Sequence, residues 1–467
     1  MEQKKQKRFD FTKGEILKPM ILFTLPVLLG DVFSALYNVV DSLVVGRFVG
    51  SNALAAVSAS FAITMVTVAV YAGFGMGSSV VMGQLFGAKR MDDLAKGIST
   101  AILGAVVVGL SMSVIGLLIS KPLLSLINTP AEIMPGATIY LRIYMLGCMT
   151  QLMYFMSSGI MRALGDSRHP MYYLIVCSII NIILDIVFVA VFHWNEAGVA
   201  AATVIAQAVS AVLGIRRILT GFGIKISKDK FRIHGSILRL IMKIGIPAAI
   251  QQSINSVGML FIQSFSNSFG AALVASNGIM QKLDGFAQLP VMALGTTVTT
   301  FNSQNIGAGE KERAQQGNRK MMFVVVGVCL AVGILLFTFC GSLYRLFLNP
   351  SDPNYDLVIE MGMRSVRIVS MFYWAFGLQM MFVSVLRGLG ATIPTMIISI
   401  FFTILRVPVT KFMAKPGTPA ADYTMLYWAQ SLFFVLMFLA MFLYYKFGNW
   451  EKYSVVRKQE KPAKEDI

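Results

Sequence analysis

Four carboxylates fall inside long apolar stretches of the chain: Asp31, Asp41, Asp185 and Asp284. An acid within the hydrocarbon of a bilayer costs roughly 2.5–3.5 kcal/mol and is kept where it faces the interior of a helix bundle. Asp41 closes the run Leu36-Tyr37-Asn38-Val39-Val40-Asp41, so on a helix Tyr37 and Asn38 share its face at spacings of four and three. Asn181 and Asp185 are also four apart, as are Thr203 and Gln207. Three faces carrying amide, hydroxyl and carboxylate oxygens predict one oxygen-rich pocket for a proton or a small hard cation such as Na+. Two acids in one dry pocket repel each other, so one of them holds a proton near neutral pH. Such a site loads from one side of a membrane and discharges to the other. The plainer reading, in which Asp41 and Asp185 only hydrogen-bond neighbouring helices, stays open.

The remaining polar residues divide into supporting roles and packing. Asp31 precedes Asp41 by ten residues, about 80° around the helix, and is expected to line a cavity. Asp284 and Lys282 are two apart and do not share a face; they either contact substrate or make separate helix contacts. Gln251 and Gln252 are further candidates for substrate contact or support. Pro26 is expected to kink its helix, and Pro247 repeats it. Arg142 and Arg367 read as side chains snorkelling to headgroups, and Arg162 and Arg387 as anchors at helix ends. Gly73-Phe74-Gly75-Met76-Gly77 reads as close helix packing, not a phosphate loop. Cys148, Cys177, Cys329 and Cys340 lack metal-ligand spacing and read as packing thiols. With three histidines, His169, His193 and His234, and no clustered nucleophile and base, the sequence points away from an enzyme. No cofactor and no bound metal are expected beyond a transiting Na+ at Asp41, Asn181, Asp185 and Thr203.

The elements that must carry these residues are membrane helices. At 56% hydrophobic and 13% charged residues, 467 positions cannot cover a water-soluble globule. Uncharged windows such as 48–88, 244–281 and 321–344 are each long enough for at least one span of about 20 residues. Their continuous apolarity excludes a barrel, whose signal alternates. Twelve helices are predicted at 17–45, 52–84, 95–121, 135–163, 168–193, 197–217, 236–265, 272–305, 316–346, 357–387, 390–412 and 423–447. The chain is doubled. Arg162-Ala163-Leu164-Gly165 returns 225 positions later as Arg387-Gly388-Leu389-Gly390, and Gln84, Gly87 and Ala88 return 220 later as Gln304, Gly307 and Ala308. The reading is an all-α integral membrane protein with twelve transmembrane helices in two pseudo-symmetric six-helix bundles. Its parts are a tail 1–16, a lobe 17–217, a loop 218–235, a second lobe 236–447 and a tail 448–467. Paired halves of this kind are a carrier architecture, with the substrate passing between them.

Thirty of the 40 Lys and Arg fall in the tails and even-numbered loops, against five in odd-numbered ones: Arg47, Lys121, Arg345, Lys411 and Lys415. Both tails and the 218–235 loop are therefore expected on the cytoplasmic side. The net charge of +17 follows from that topology and from attraction to anionic lipid, with no nucleic-acid-binding module in the chain. The first apolar segment outruns a cleavable signal peptide and is expected to stay as the first helix.

Over residues 15–447 the sequence resembles the multidrug and toxic compound extrusion (MATE) transporters. The likeness rests on the Pro26 region leading to Leu36-Tyr37-Asn38 and Asp41, Val44-Val45-Gly46, Ala53-Leu54-Ala55-Ala56-Val57-Ser58, Gln84-Leu85-Phe86-Gly87-Ala88, both Arg-x-Leu-Gly corners, Asn181 with Asp185, and Ala201-Ala202-Thr203. The resemblance implies two lobes around a V-shaped cavity that opens alternately to each side. It implies export of amphipathic, often cationic organic compounds against an inward flow of H+ or Na+, by a monomer in the plasma membrane. Asp41, Asn181, Asp185 and Thr203 match the first-lobe coupling site of the DinF-like branch, with Tyr37, Asn38 and Gln207 beside them. NorM-like members carry second-lobe acids, whereas here Gln251, Gln252 and Gln379 stand in that lobe. A flippase for lipid-linked oligosaccharide is the neighbouring alternative, disfavoured by an interior expected to be acidic and not arginine-rich.

Overall fold

The computed structural model describes residues 8–44, 51–224, 226, 228–418 and 422–456; at positions 37, 38, 40–44, 51–54 and 228 it describes the backbone alone. The regular structure among these residues is helical throughout. In the first half, α1 spans Leu17–Val44, α2 Ser51–Gly87, α3 Met91–Leu126, α4 Met134–Leu146 and α5 Cys148–Ala163. Next comes α6, Arg168–Asp185, which widens into a π-helical turn over Ile186–Val191, and then α7, Asn195–Gly221. The second half holds α8 (Gly235–Asn267), α9 (Ala271–Ala287), α10 (Leu289–Gly307), α11 (Lys311–Arg345), α12 (Tyr355–Met371), α13 (Tyr373–Gly388), α14 (Thr392–Ala414) and α15 (Thr424–Phe447).

Fifteen helices reduce to the twelve expected spans because three pairs are separated by a single residue: Gly147, Gln288 and Phe372. At Gly147 and at Phe372 the chain tightens through a bond to the carbonyl three residues back, Tyr144 and Val369 respectively, both 3.0 Å. The second break bends α12 against α13 by 51°. These two breaks are 225 positions apart, so the repeat seen in the residue types also governs backbone geometry. The corners after α5 and α13 repeat in the same way. Gly165 and Gly390 both have φ +85°, and each N–H bonds the carbonyl of the preceding arginine at 2.9 Å. Glycine meets that left-handed requirement without a Cβ penalty. Among the described residues nine helices are long and apolar enough to cross a bilayer, ten when the bent pair counts as one span. Fewer than half the residues of each such window are buried, leaving side chains such as Leu118, Ile334 and Phe412 outward for lipid.

The chain divides into two compact units, Met1–Ala249 with Thr300–Ala314 and Tyr453–Ile467, and Ile250–Thr299 with Gln315–Lys452. Compactness therefore divides the chain within α8, α10 and α11, while the sequence repeat divides it in the 218–235 loop. In the first unit α2 packs on α5 and on the start of α8 through glycines. A Cβ on Gly73 would lie 2.6 Å from the Gly245 carbonyl oxygen, and one on Gly77 2.3 Å from that of Ile241. The glycine run is thus a packing face, as its apolar context predicts. A second close approach joins the ends of α2 and α10. A Cβ on Gly87 would lie 1.9 Å from the Gln304 carbonyl oxygen, and one on Gly307 2.0 Å from that of Gln84. The side chains of these two glutamines each hold a chain end: Gln304 Oε1 accepts from Phe11 N (2.9 Å) and Gln84 Oε1 from Val455 N (2.7 Å). In the second unit α15 packs on α12, α13 and α14, and α9 on α12.

Candidate functional site

In the first unit the site is built on α1, α6 and α7, with α6 packed between the other two. One turn of α6 separates Asn181 from Asp185, which puts both on the same face. They are among the most enclosed polar residues of the unit, at 1% and 0% exposure. Asn181 Nδ2 donates to Thr203 Oγ1 at 3.4 Å, and that hydroxyl donates to the Val199 carbonyl one turn earlier at 3.1 Å. Among the described residues no hydrogen-bond donor meets Asn181 Oδ1 or Gln207 Oε1, both buried. The α-helical bonding of α6 gives way to the π-helical turn immediately after Asp185, a local widening often found beside functional groups.

Thr203 therefore meets Asn181 between α6 and α7, with Asp185 one turn along α6 and Gln207 one turn along α7. The side chains of Tyr37, Asn38 and Asp41 lie outside the described residues; their backbone is part of α1. Pro26 sits within α1, which continues through it. Asp31 is half-buried on α1. Among groups outside the spans, Asp166 in the α5–α6 corner contacts His169 Nδ1 at 2.7 Å and Arg217 Nη2 at 3.2 Å. Burial pushes its carboxyl up, but the bonds and charge of His169, with Arg217, outweigh that and hold it below the usual carboxylate range.

The second unit carries a different set. Asn277, Gln281 and Asp284 repeat at spacings of four and three on α9 and line a cavity of about 90 Å³. Gln263 on α8, Arg406 on α14, and Tyr427 and Gln430 on α15 complete its polar wall. Gln281 Nε2 donates to Gln263 Oε1 at 3.0 Å, and the Tyr427 hydroxyl to Asn277 Oδ1. Lys282 turns elsewhere, its ammonium 5.4 Å above the Phe347 ring, as its spacing from Asp284 predicts. Gln251 is buried and holds an arginine: Arg387 Nη2 donates to Gln251 Oε1 at 2.7 Å, while Gln251 Nε2 donates to Ser399 Oγ at 2.5 Å. Gln252, one residue on, is exposed.

Two sequence expectations change here. Arg387 is no lipid anchor, because its guanidinium is drawn inward by Gln251. Nor is the interior uniformly acidic, since Arg406 and Arg387 both face the inside of the second unit. Sequence reasoning does not single out Arg406; the available signal was one charge in the apolar run Ile404-Leu405-Arg406-Val407, the same signal that marks Asp284.

A doubled helical membrane protein with a buried polar pair in one repeat and a polar cavity in the other has the build of a membrane carrier. Comparison with known proteins places it within one group of carriers. The MatE family profile matches residues 26–187 and 247–411, and the chain belongs to that family of transporters, not to a class of enzymes. It is 28% identical over 451 residues to the "Probable multidrug resistance protein YpnP" of Bacillus subtilis, covering 95% of this chain and 98% of that one. It is 26% identical to the "Multidrug export protein MepA" of Staphylococcus haemolyticus over 96% of this chain and 97% of the relative. The crystal structure of a MATE protein in complex with MaL6 shares its fold, with a TM-score of 0.87 at 20% identity over 94% of this chain and 98% of that one.

Proposed function

We propose that the chain exports amphipathic, often cationic organic compounds across the plasma membrane, in exchange for protons or, as the second candidate, Na+. The observation that carries the coupling half of this reading is the enclosed pair Asn181 and Asp185 beside Thr203, in helices otherwise apolar. A carboxylate so placed is tolerable only with a countercharge or a proton. Asp41 on α1 is assigned as its partner by spacing, in the pattern of the DinF-like branch. Entry of a cation from outside neutralises the pair, α1 responds around Pro26, and substrate leaves outward. The membrane field supplies about 2.3 kcal/mol per charge per 100 mV. The drug-exporting half draws on the relatives, whose names concern multidrug resistance and export. Both termini are assigned to the cytoplasm from the distribution of basic residues, and the working unit is a monomer in contact with lipid alone.

Proteoliposomes given a proton gradient or a Na+ gradient separately test the reading. One gradient alone should drive accumulation of a cationic dye, and Asp185→Asn or Asp41→Asn should abolish it while the protein still inserts. Full gradient-driven transport by either variant would remove the coupling assignment. Movement of a lipid-linked diphosphate in place of organic cations would instead favour the flippase alternative.

A further inference from the structure

The cavity in the second unit is lined by one acid and one base that do not pair with each other. Asp284 from α9 and Arg406 from α14 both line it, yet among the described residues neither belongs to an ion pair, and no hydrogen bond engages either side chain. Charged groups in a low-dielectric bundle ordinarily find each other or a polar partner. These two share the wall of one cavity without pairing, while the neighbouring amides are occupied: Gln281 with Gln263, and Asn277 with Tyr427 and Ser266. Gln430, without a hydrogen-bond partner among the described residues, adds one adaptable donor and acceptor to the same wall. The rest of the lining is Met259, Met280, Ile262 and Leu426, an apolar surface that moulds to flat or irregular bodies.

We propose that this half-open cavity receives the charged groups of amphiphiles that carry a positive and a negative charge on one scaffold, the cation against Asp284 and the anion against Arg406, with the rest of the ligand lying outside its mouth. A purely cationic compound satisfies Asp284 and leaves Arg406 uncompensated beside apolar surface. A zwitterion satisfies both, and its own charges keep them from collapsing together. Arginine suits the anionic end because its planar fork matches a carboxylate or phosphate in two parallel bonds. This site lies in the unit lacking the Asn181 and Asp185 pair, so cargo and coupling ion would use different repeats. The inference deepens the exporter reading by naming its substrate class and rests on it for physiological sense.

Equilibrium binding without any gradient tests it apart from coupling. The purified full chain in maltoside micelles is titrated with rhodamine B, a xanthylium cation with a free carboxylate, and with its ethyl ester, which keeps only the cation. Fluorescence anisotropy should give rhodamine B the lower Kd by on the order of tenfold, the effect of one charge-assisted contact. Arg406→Gln should bring the ratio to about one by weakening rhodamine B alone. Retained ester binding then certifies that this variant is folded. Arg406→Lys should restore part of the preference, and Asp284→Asn should weaken both dyes. An ester that binds as well as rhodamine B to the unmodified chain, or a preference that survives Arg406→Gln, overturns the proposal.

A zwitterionic lipid headgroup shares this chemistry. Rhodamine B binding that persists in phosphatidylethanolamine nanodiscs supports a soluble ligand. Binding lost there but kept in phosphatidylglycerol assigns the cavity to the headgroup and overturns the soluble-ligand form. Dye binding with the expected preference but no gradient-driven transport would sink the exporter reading and leave this site standing.

Discussion

Adding one methyl group where α2 and α10 meet tests the doubled architecture directly. A Cβ on Gly87 would sit 1.9 Å from the Gln304 carbonyl oxygen, whereas ordinary contact begins near 3.4 Å. Backbone and not a flexible side chain is in the way, so Gly87→Ala must part the helix ends by about 1.5 Å, the difference of those two distances. Overpacking of this kind costs about 1–3 kcal/mol, and at about 2–4 °C per kcal/mol for a unit of 150–250 residues the midpoint falls by about 2–12 °C. Gly307→Ala meets the Gln84 carbonyl at 2.0 Å across the same crossing and should cost a similar amount. Once the ends have parted for the first alanine, the second finds room, so the double variant should cost less than the two singles together by about 0.5–3 kcal/mol. Gly327→Ala is the control: nothing lies within 4 Å of its Cβ inside α11, and helix propensity favours alanine there by up to about 1 kcal/mol. Thermal unfolding in maltoside, followed by tryptophan fluorescence, reads the four variants against the unmodified chain. Neutral single variants, or strictly additive ones, would refute the reciprocal contact.

Three further outcomes follow from the described contacts. Asp166→Asn removes a charged partner that His169 and Arg217 share. Because the Asp166 carboxyl is held below its ordinary range, its contribution is complete above the unfolded carboxylate range near pH 4 and disappears as pH falls through the lowered folded value. The variant should therefore be less stable at neutral pH and converge on the parent in strong acid, as unfolding midpoints measured against pH would reveal. Gln251→Leu takes the acceptor from the Arg387 guanidinium and should cost about 1.5–3 kcal/mol, whereas Gln251→Glu should keep most of the stability; equal losses in both would dismiss the Arg387 contact. All four cysteines are free and buried, so a maleimide should label the native protein slowly and label four thiols after unfolding, counted by mass spectrometry.

The helical class and the doubling were legible because each rests on many residues at once: apolar runs of span length, and corner motifs returning at a fixed offset. Backbone detail was partly legible. Gly165 and Gly390 announce left-handed corners, but the equivalent breaks at Gly147 and Phe372 share no residue type, so pattern alone hides the second. Within the candidate site, spacing of four brings Asn181 to Asp185 because it acts within one helix. The bond from Asn181 to Thr203 depends on how α6 meets α7, which spacing can only suggest. Arg387 and Arg406 were obscured for a related reason. An arginine near a span end looks the same in sequence whether it snorkels outward or folds inward, and for Arg387 the choice is made by a residue as remote as Gln251.

The glutamines that return 220 positions apart have a practical consequence at the two extremities of the polypeptide. Gln304 clasps the backbone at Phe11 and Gln84 the backbone at Val455, so neither stretch is dispensable trim. Removing the chain from Ser454 onward would take the Ser454 and Val455 donors from the Gln84 oxygen, and a reporter spliced between Phe9 and Phe11 would pull at Gln304. Engineered fusions belong before Arg8 or after Val456, where the clasp is left intact.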